Sequence, residues 1–325
     1  MELRKVQEVG KGTSFVSLPK DWVRRHGIGK GSVVEMEVDE DGNLLVRPLG
    51  AGRKAKELTL EYPSKESLTN ELAGAYLLGY DVIRISGRID HEGRELIKGI
   101  VRKLVGLEIV EEDSSTIVAQ FLIEPTTLSP RKLLMRMHHI TSSMHGDAIE
   151  SALSGDRNLA KLVKGRDEEV NRLYFLLVRL VRSAVISPSL ARAFSMSALE
   201  CMDFRVAANL IEGIGDASSD MADCVISLRT GLKGFEGELK EIKGLLQRSQ
   251  ETAVRMFMEK KGCAREFSRI RELIQPRLQS LREKALELDR QASFTVLSMV
   301  DAMQDIFKAH MDIADLCTPL YPMVE

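Results

Sequence analysis

Cysteine is scarce in this chain. Its 325 residues include four, Cys201, Cys224, Cys263 and Cys317, and no two form a C-x-x-C pair. That spacing argues against a zinc ribbon or a dithiol redox motif and favours reduced, buried thiols. Aromatic residues make up only 5% of the chain, with a single Trp, while Met is plentiful at 14. A β-sandwich favours aromatic and β-branched side chains, so this mixture suits helix packing better. No apolar run approaches the roughly 20 residues needed to cross a bilayer. The opening MELRKVQEVG lacks the apolar stretch of a secretion signal. The expectation is a cytoplasmic protein with no direct membrane insertion. Net charge is also small, at -2, and 44% of residues are hydrophobic, enough to build real cores.

Length points to more than one domain, since a single core stops growing at about 250–300 residues. The hydrophobic period changes twice along the chain. Gly50-Ala51-Gly52 marks the first join, and the run from Glu124 to Pro130 (EPTTLSP) marks the second. The predicted fold is multidomain and mainly α. A small β-rich domain spans 1–50, an α/β sandwich spans 55–124, and two three-helix bundles span 129–317.

In the first segment, Phe15 to Pro19 reads as a strand ending in proline, and Asp21 to His26 as a short helix closed by Gly27. Ser32 to Val38 alternates like a half-buried strand, and Asp41-Gly42 signals a hairpin back through Leu44-Leu45-Val46. So short a unit buries little core alone and calls for a partner copy. The second segment reads βαβαββ. Its strands lie at Leu58–Leu60, Asp81–Ile85, Leu107–Val110 and Thr116–Phe121, with helices over 65–78 and 91–105. It has neither a Gly-rich phosphate loop nor a nucleophile motif, so a spacer or dimer-forming role is expected.

The third segment reads as helices over 131–154, 157–186 and 189–228, then 235–262, 265–288 and 289–317. Ser187-Pro188 and Gly231 to Gly234 (GLKG) punctuate the series, and Pro276 is expected to kink or split the fifth helix. The last helices of the two sets share a spacing. Glu212, Asp216 and Asp223 match Asp301, Asp305 and Asp312 as [ED]-x-x-x-D-x6-D. Positions i, i+4 and i+11 fall on one side of a helix. Like charges there repel by roughly 0.2–0.5 kcal/mol per pair, which solvent and salt or a bound hard cation would offset. The predicted apolar stripe of Val206, Leu210, Ile214, Ala217, Met221 and Val225 lies away from these carboxylates. From spacing alone, a solvated face and a cation site are both open. A site inside the bundle would need inward Glu-x-x-His pairs. His138, His139 and His145 lack that spacing to a Glu, which suits core, surface or capping roles.

Residues 129–317 resemble the PhoU family of phosphate-uptake regulators. The run from Leu210 to Asp216 (LIEGIGD) is similar to the family's L-E-R-I-G-D signature. Asp156 to Asp167 (DRNLAKLVKGRD) is similar to the family's connection into its second helix, and Asp147-Ala148-Ile149 to an acidic-Ala-Ile step in its first. The resemblance implies two pseudo-symmetric three-helix bundles with metal clusters on their outer surface. It makes Glu212, Asp216, Asp223, Asp301, Asp305 and Asp312 metal ligands, for ions such as iron, zinc, manganese or magnesium. Gly213 replaces the usual Arg, and the second repeat lacks Ile-Gly, so the second site is the weaker match.

Residues 1–49 resemble the AbrB/SpoVT family of swapped-hairpin DNA-binding domains. Gly10 to Lys20 (GKGTSFVSLPK), Gly27 to Val34 (GIGKGSVV) and Asp41 to Leu44 (DGNL) carry the match in the family's order. The resemblance implies an interleaved dimer. Residues 1–32 hold seven Lys or Arg against three Asp or Glu, a basic excess that a dimer would double for phosphate contacts. Arg4, Lys5, Lys11, Lys20, Arg24 and Arg25 are the candidate DNA-binding residues.

Together these resemblances imply a non-enzymatic, phosphate-responsive regulator that acts as a homodimer or higher oligomer. DNA is the expected partner, and a phosphate transporter or its ATPase is the alternative. Neither a P-loop nor an Arg cluster in the helical module marks a phosphate pocket. The carboxylate stripes also lack the converging, usually His-containing ligands of a di-metal hydrolase.

Overall fold

The computed structural model describes residues 3–10, 12–38, 42–49, 55–62, 65–227, 232, 234–260 and 264–317. The chain divides into two compact units, Met1–Ala55 and Lys56–Glu325. Gly50 to Gly52, Asp41 and Cys263 lie outside the described residues.

The first unit contains β1 (Gln7–Val9), β2 (Thr13–Phe15), α1 (Lys20–Arg25), β3 (Val34–Val38) and β4 (Leu44–Pro48). β1 and β2 form one antiparallel pair, β3 and β4 another. The strand expected over Phe15 to Pro19 therefore ends at Phe15, and β1 is an addition. Gly27, at φ 63°, supplies the left-handed residue that lets the chain leave α1. None of the described residues in this unit is buried. Val33, Met36, Val38 and Leu44 are each more than half exposed. Among its described residues, a lone copy of the unit thus shows no core.

The second unit opens with a four-stranded sheet. Its elements are β5 (Glu57–Glu61), α2 (Lys65–Leu77), β6 (Val82–Ser86), α3 (His91–Lys103), β7 (Leu107–Glu112) and β8 (Thr116–Phe121). The sheet order is β5-β6-β8-β7, with β5 and β6 parallel and the other pairs antiparallel. The βαβαββ reading holds. Asp90 caps α3 by accepting from Gly93 N at 2.8 Å. Asp113 closes the β7–β8 hairpin by accepting from Ser115 N and Thr116 N. Leu68, Leu72 and Tyr76 are buried with Ile83, Ile85, Ile97 and Ile117.

The helical module follows as α4 (Pro130–Ser154), α5 (Arg157–Ile186), α6 (Pro188–Phe194), α7 (Ala198–Ser227), α8 (Glu236–Glu259), α9 (Ala264–Ala285) and α10 (Arg290–Asp315). α4, α5 and α7 pack together, as do α8, α9 and α10, and α7 also meets α10. Ser129, Asp156 and Asp289 cap α4, α5 and α10 with side-chain oxygens.

Two expectations change here. The single helix expected over 189–228 is two, because Ser195 adopts a left-handed φ of 52°. A capping box then restarts the helix: Ser197 Oγ accepts from Glu200 N at 3.2 Å, while Glu200 Oε2 accepts from Ser197 N at 2.9 Å. The second change is at Pro276, which neither splits nor ends α9. Arg277 Nη1 donates to Leu273 O at 2.7 Å, serving a carbonyl in the turn that the proline weakens.

Candidate metal centre and nucleic-acid interface

α7 is covered on more than one side, so its buried face is wider than the stripe expected from spacing. Ile211, Ile214, Ala217, Met221 and Val225 are buried, as are Phe204, Ala207 and Ala208. Val206 is 45% exposed and Leu210 only partly covered. Glu212 lies at the edge of this face, half-buried, with Asp216 and Asp220 exposed one and two turns on.

The structure adds Asp167 of α5, which sequence spacing did not single out. Asp167 and Asp216 lie within hydrogen-bonding reach of each other. The Asp167 Oδ1 atom would lie 3.5 Å from a Cβ placed on Gly215, an ordinary contact distance that sets α5 against α7 at this point. Asn171 Nδ2 donates to Asp167 Oδ2 at 3.1 Å. The other oxygens of this pair, Asp167 Oδ1 and Asn171 Oδ1, are buried and have no hydrogen-bond donor.

Electrostatics mark the same spot. Burial, then Asp216 and Asp167, push the Glu212 carboxyl up to about 7. Burial, then Asp216, raise Asp167, and burial, then Asp220, raise Asp216. Buried oxygens without donors beside crowded carboxylates are the donor set of a hard cation. Asp167, Glu212, Asp216 and Asp220 thus crowd one edge of α5 and α7 beside Asn171, with Arg205 also acting on Glu212, but among the described residues no group of three or more His, Cys, Asp or Glu is placed to hold a metal ion. The only hint in sequence was that Asp167 ends the DRNLAKLVKGRD run.

Other expected ligands are placed differently. Asp223 accepts from Lys164 Nζ at 2.5 Å. Asp301 is paired with Arg282 of α9, and Asp305 is exposed. Asp312, seven residues beyond Asp305, is partly buried.

In the first unit, Arg4, Lys5, Lys20, Arg24 and Arg25 are all exposed, and Lys11 lies outside the described residues. Lys20, Arg24 and Arg25 share α1, whose last turn carries both arginines, a placement the helix dipole favours. Arg4 Nη1 reaches Ser17 Oγ at 3.4 Å, tying the N-terminal arm to the residues after β2.

Comparison with known proteins agrees with this architecture. The PhoU domain family matches residues 134–225, which span α4 to α7 and include Asp167, Glu212 and Asp216. The family of the antidote-toxin recognition protein MazE, a bacterial antitoxin, matches residues 9–54. The chain is multidomain, and both families that its segments match are regulatory and non-catalytic. It carries a PhoU domain in its C-terminal half and a MazE/AbrB-type antitoxin (swapped-hairpin) domain at its N-terminus. Among solved structures, PhoU from Pseudomonas aeruginosa superposes with a TM-score of 0.50 at 18% identity, covering 58% of this chain and 93% of that one. The phosphate transport system regulatory protein PhoU from Streptococcus pneumoniae gives 0.49 at 15% identity, covering 58% and 89%. The likeness to the Pseudomonas aeruginosa protein is of fold. No curated protein matches the sequence. Among the described residues, no helix is long and apolar enough to cross a membrane.

Proposed function

We propose that this protein is a phosphate-responsive regulator that binds DNA through its N-terminal unit and controls phosphate uptake through its PhoU domain. The observation that carries the reading is the union, in one chain, of a PhoU domain with a MazE/AbrB-type domain. The first unit's described residues include none that is buried, which supports assembly with a second copy. Two copies would bring together two sets of Arg4, Lys20, Arg24 and Arg25 for phosphate contacts.

Chromatin occupancy of the tagged protein in phosphate-replete and phosphate-starved cells tests this reading. Peaks near phosphate-transport genes that change with phosphate are expected. A well-expressed protein with no enrichment in either condition would overturn DNA binding as its role.

A second reading makes the protein a transporter adaptor whose N-terminal unit only dimerises it. The exposure of Val33, Met36, Val38 and Leu44 favours it, since apolar residues call for a partner copy whether or not DNA binds. Capture of a phosphate transporter or its ATPase that survives deletion of residues 1–50, with no DNA binding by the full chain, would establish it.

A further inference from the structure

The seam between the two bundles is polar at its centre. His138, Thr141 and His145 of α4 lie there with Ser249 and Gln250 of α8 and His310 of α10, and all six are buried. Hydrogen bonds fix the imidazoles one at a time. Gln250 Nε2 donates to Thr141 Oγ1 at 2.8 Å and to His138 O at 3.3 Å, so Gln250 Oε1 accepts from His145 Nε2 at 2.8 Å. Ser249 Oγ donates to Leu246 O at 2.9 Å, so it accepts from His310 Nδ1 at 2.6 Å. The other ring nitrogens, His145 Nδ1 and His310 Nε2, are therefore acceptors. Both are buried and neither has a donor among the described residues, and the same holds for His138 Nδ1.

We propose that a water molecule is bound between His145 Nδ1 and His310 Nε2, donating one hydrogen bond to each, so that it joins the two bundles at the centre of their seam. Two acceptors cannot bond to one another, and a buried acceptor without a donor is costly. The group that serves both nitrogens must bring two protons. An apolar group would leave both unsatisfied. A cation finds little to hold it, because no carboxylate is hydrogen-bonded to either ring among the described residues. The charged groups that act on His145, Asp147 of α4 and Lys243 of α8, have opposite signs. Among the described residues no group of three or more His, Cys, Asp or Glu is placed to hold a metal ion either. Water fits the remaining need, and buried waters occupy polar spots of this kind with about three hydrogen bonds each. The two rings lie 6.1 Å apart, a gap that one oxygen with two hydrogen bonds of roughly 2.9 Å spans. Among the described residues no side-chain hydrogen bond runs directly from α4 to α10. The bound water would supply that link, with Gln250 and Ser249 of α8 holding the two imidazoles in the tautomers that receive it.

The test is a high-resolution crystal structure of the full-length chain. One solvent peak is expected within about 2.7–3.2 Å of both nitrogens. A protein donor against either nitrogen, or side chains filling the space between the rings with no such peak, would overturn the inference. Nitrogen NMR of the histidine rings in solution gives a second reading on the unmodified chain. His145 should carry its proton on Nε2 and His310 on Nδ1, each with its bare nitrogen shifted by hydrogen bonding. The opposite tautomer at either residue would overturn the inference, as would bare nitrogens with no such shift. His145→Leu with His310→Leu removes both acceptors, and the number of long-lived waters counted by oxygen-17 relaxation should fall by one per chain. An unchanged count in the folded variant would place no water there.

Discussion

Arg179 of α5 donates from Nη2 to Asp81 Oδ1 at 3.0 Å, and the arginine is only 2% exposed. Its other amino group bonds to the carbonyls of Tyr76 and Tyr80 at 2.7 and 2.8 Å, and its plane lies 4.0 Å from the centre of the Phe121 ring. One side chain thus fastens the helical module to the end of α2 and the start of β6. Asp81 Oδ2 also accepts from Lys56 N, the first residue of the second unit. α5 therefore carries both Asp167 and the anchor of the sheet.

Arg179→Met should destabilise the second unit by about 3 kcal/mol or more, because it removes a buried guanidinium's bonds to Asp81 and to two carbonyls. Arg179→Lys should recover only part of this loss, since an ammonium lacks the planar fork. Chemical denaturation of the three proteins would check the order. Equal stability of Arg179→Met and wild type would show that the anchor contributes nothing.

Glu212 gives a pH dependence of known sign. Its carboxyl is raised to about 7 in the folded chain, by burial first and then by Asp216 and Asp167. The folded state then holds a proton that the unfolded state has lost between about pH 4.5 and 7. The Glu212 contribution to stability should fall as pH rises through that window, with no further loss above it. Glu212→Gln should flatten the slope and raise the melting temperature at pH 8. An unchanged slope in this variant would return Glu212 to the ordinary carboxylate range.

The contact between the bundles predicts acid sensitivity of the opposite slope. Gln250 Nε2 donates to Thr141 Oγ1 at 2.8 Å and to His138 O at 3.3 Å, so its Oε1 accepts from His145 Nε2 at 2.8 Å. Ser249 Oγ donates to Leu246 O at 2.9 Å and accepts from His310 Nδ1 at 2.6 Å. These bonds fix neutral tautomers for His145 and His310, whose rings lie 6.1 Å apart. Burial pushes His138 and His145 down to about 4, and holds His310 well below its ordinary value. Asp147 on α4 favours the charged form of His145, and Lys243 on α8 disfavours it. The unfolded chain takes up these protons first, so the histidines' contribution to stability should be full above about pH 6.5 and fall as pH drops toward 4, against the Glu212 contribution. Melting temperatures of Glu212→Gln measured between pH 7.5 and 4.5 would isolate this decline. His145→Gln should reduce its steepness. An unchanged slope would assign the acid sensitivity to other groups.

Arg24→Ala with Arg25→Ala should weaken DNA binding uniformly across sequences. Each lost phosphate contact should reduce the slope of log affinity against log salt by about 0.9. Both side chains are exposed on α1, so the variant should fold normally. Fluorescence anisotropy over a salt series would check it. Unchanged affinity and slope would remove α1 from the interface.

Much of this protein was legible along the chain because local signals decided it. Pro130, Asp156 and Asp289 mark helix starts, the period-two run from Val34 to Val38 marks a strand, and the order βαβαββ needs only alternating patterns. The repeated acidic spacing was also visible, since i, i+4 and i+11 share a helix face whatever packs nearby. The Ser197–Glu200 capping box was written in the sequence too, hidden by an apolar period that continued past Ser195. Tertiary structure decided what each carboxylate faces. Asp167 meets Asp216 only because α5 lies against α7 at Gly215, and Asp301 meets Arg282 only because α9 lies against α10. The charge around a side chain comes from residues distant in sequence, so a spacing rule on one helix gave the two motifs the same reading, and packing gave them different neighbours.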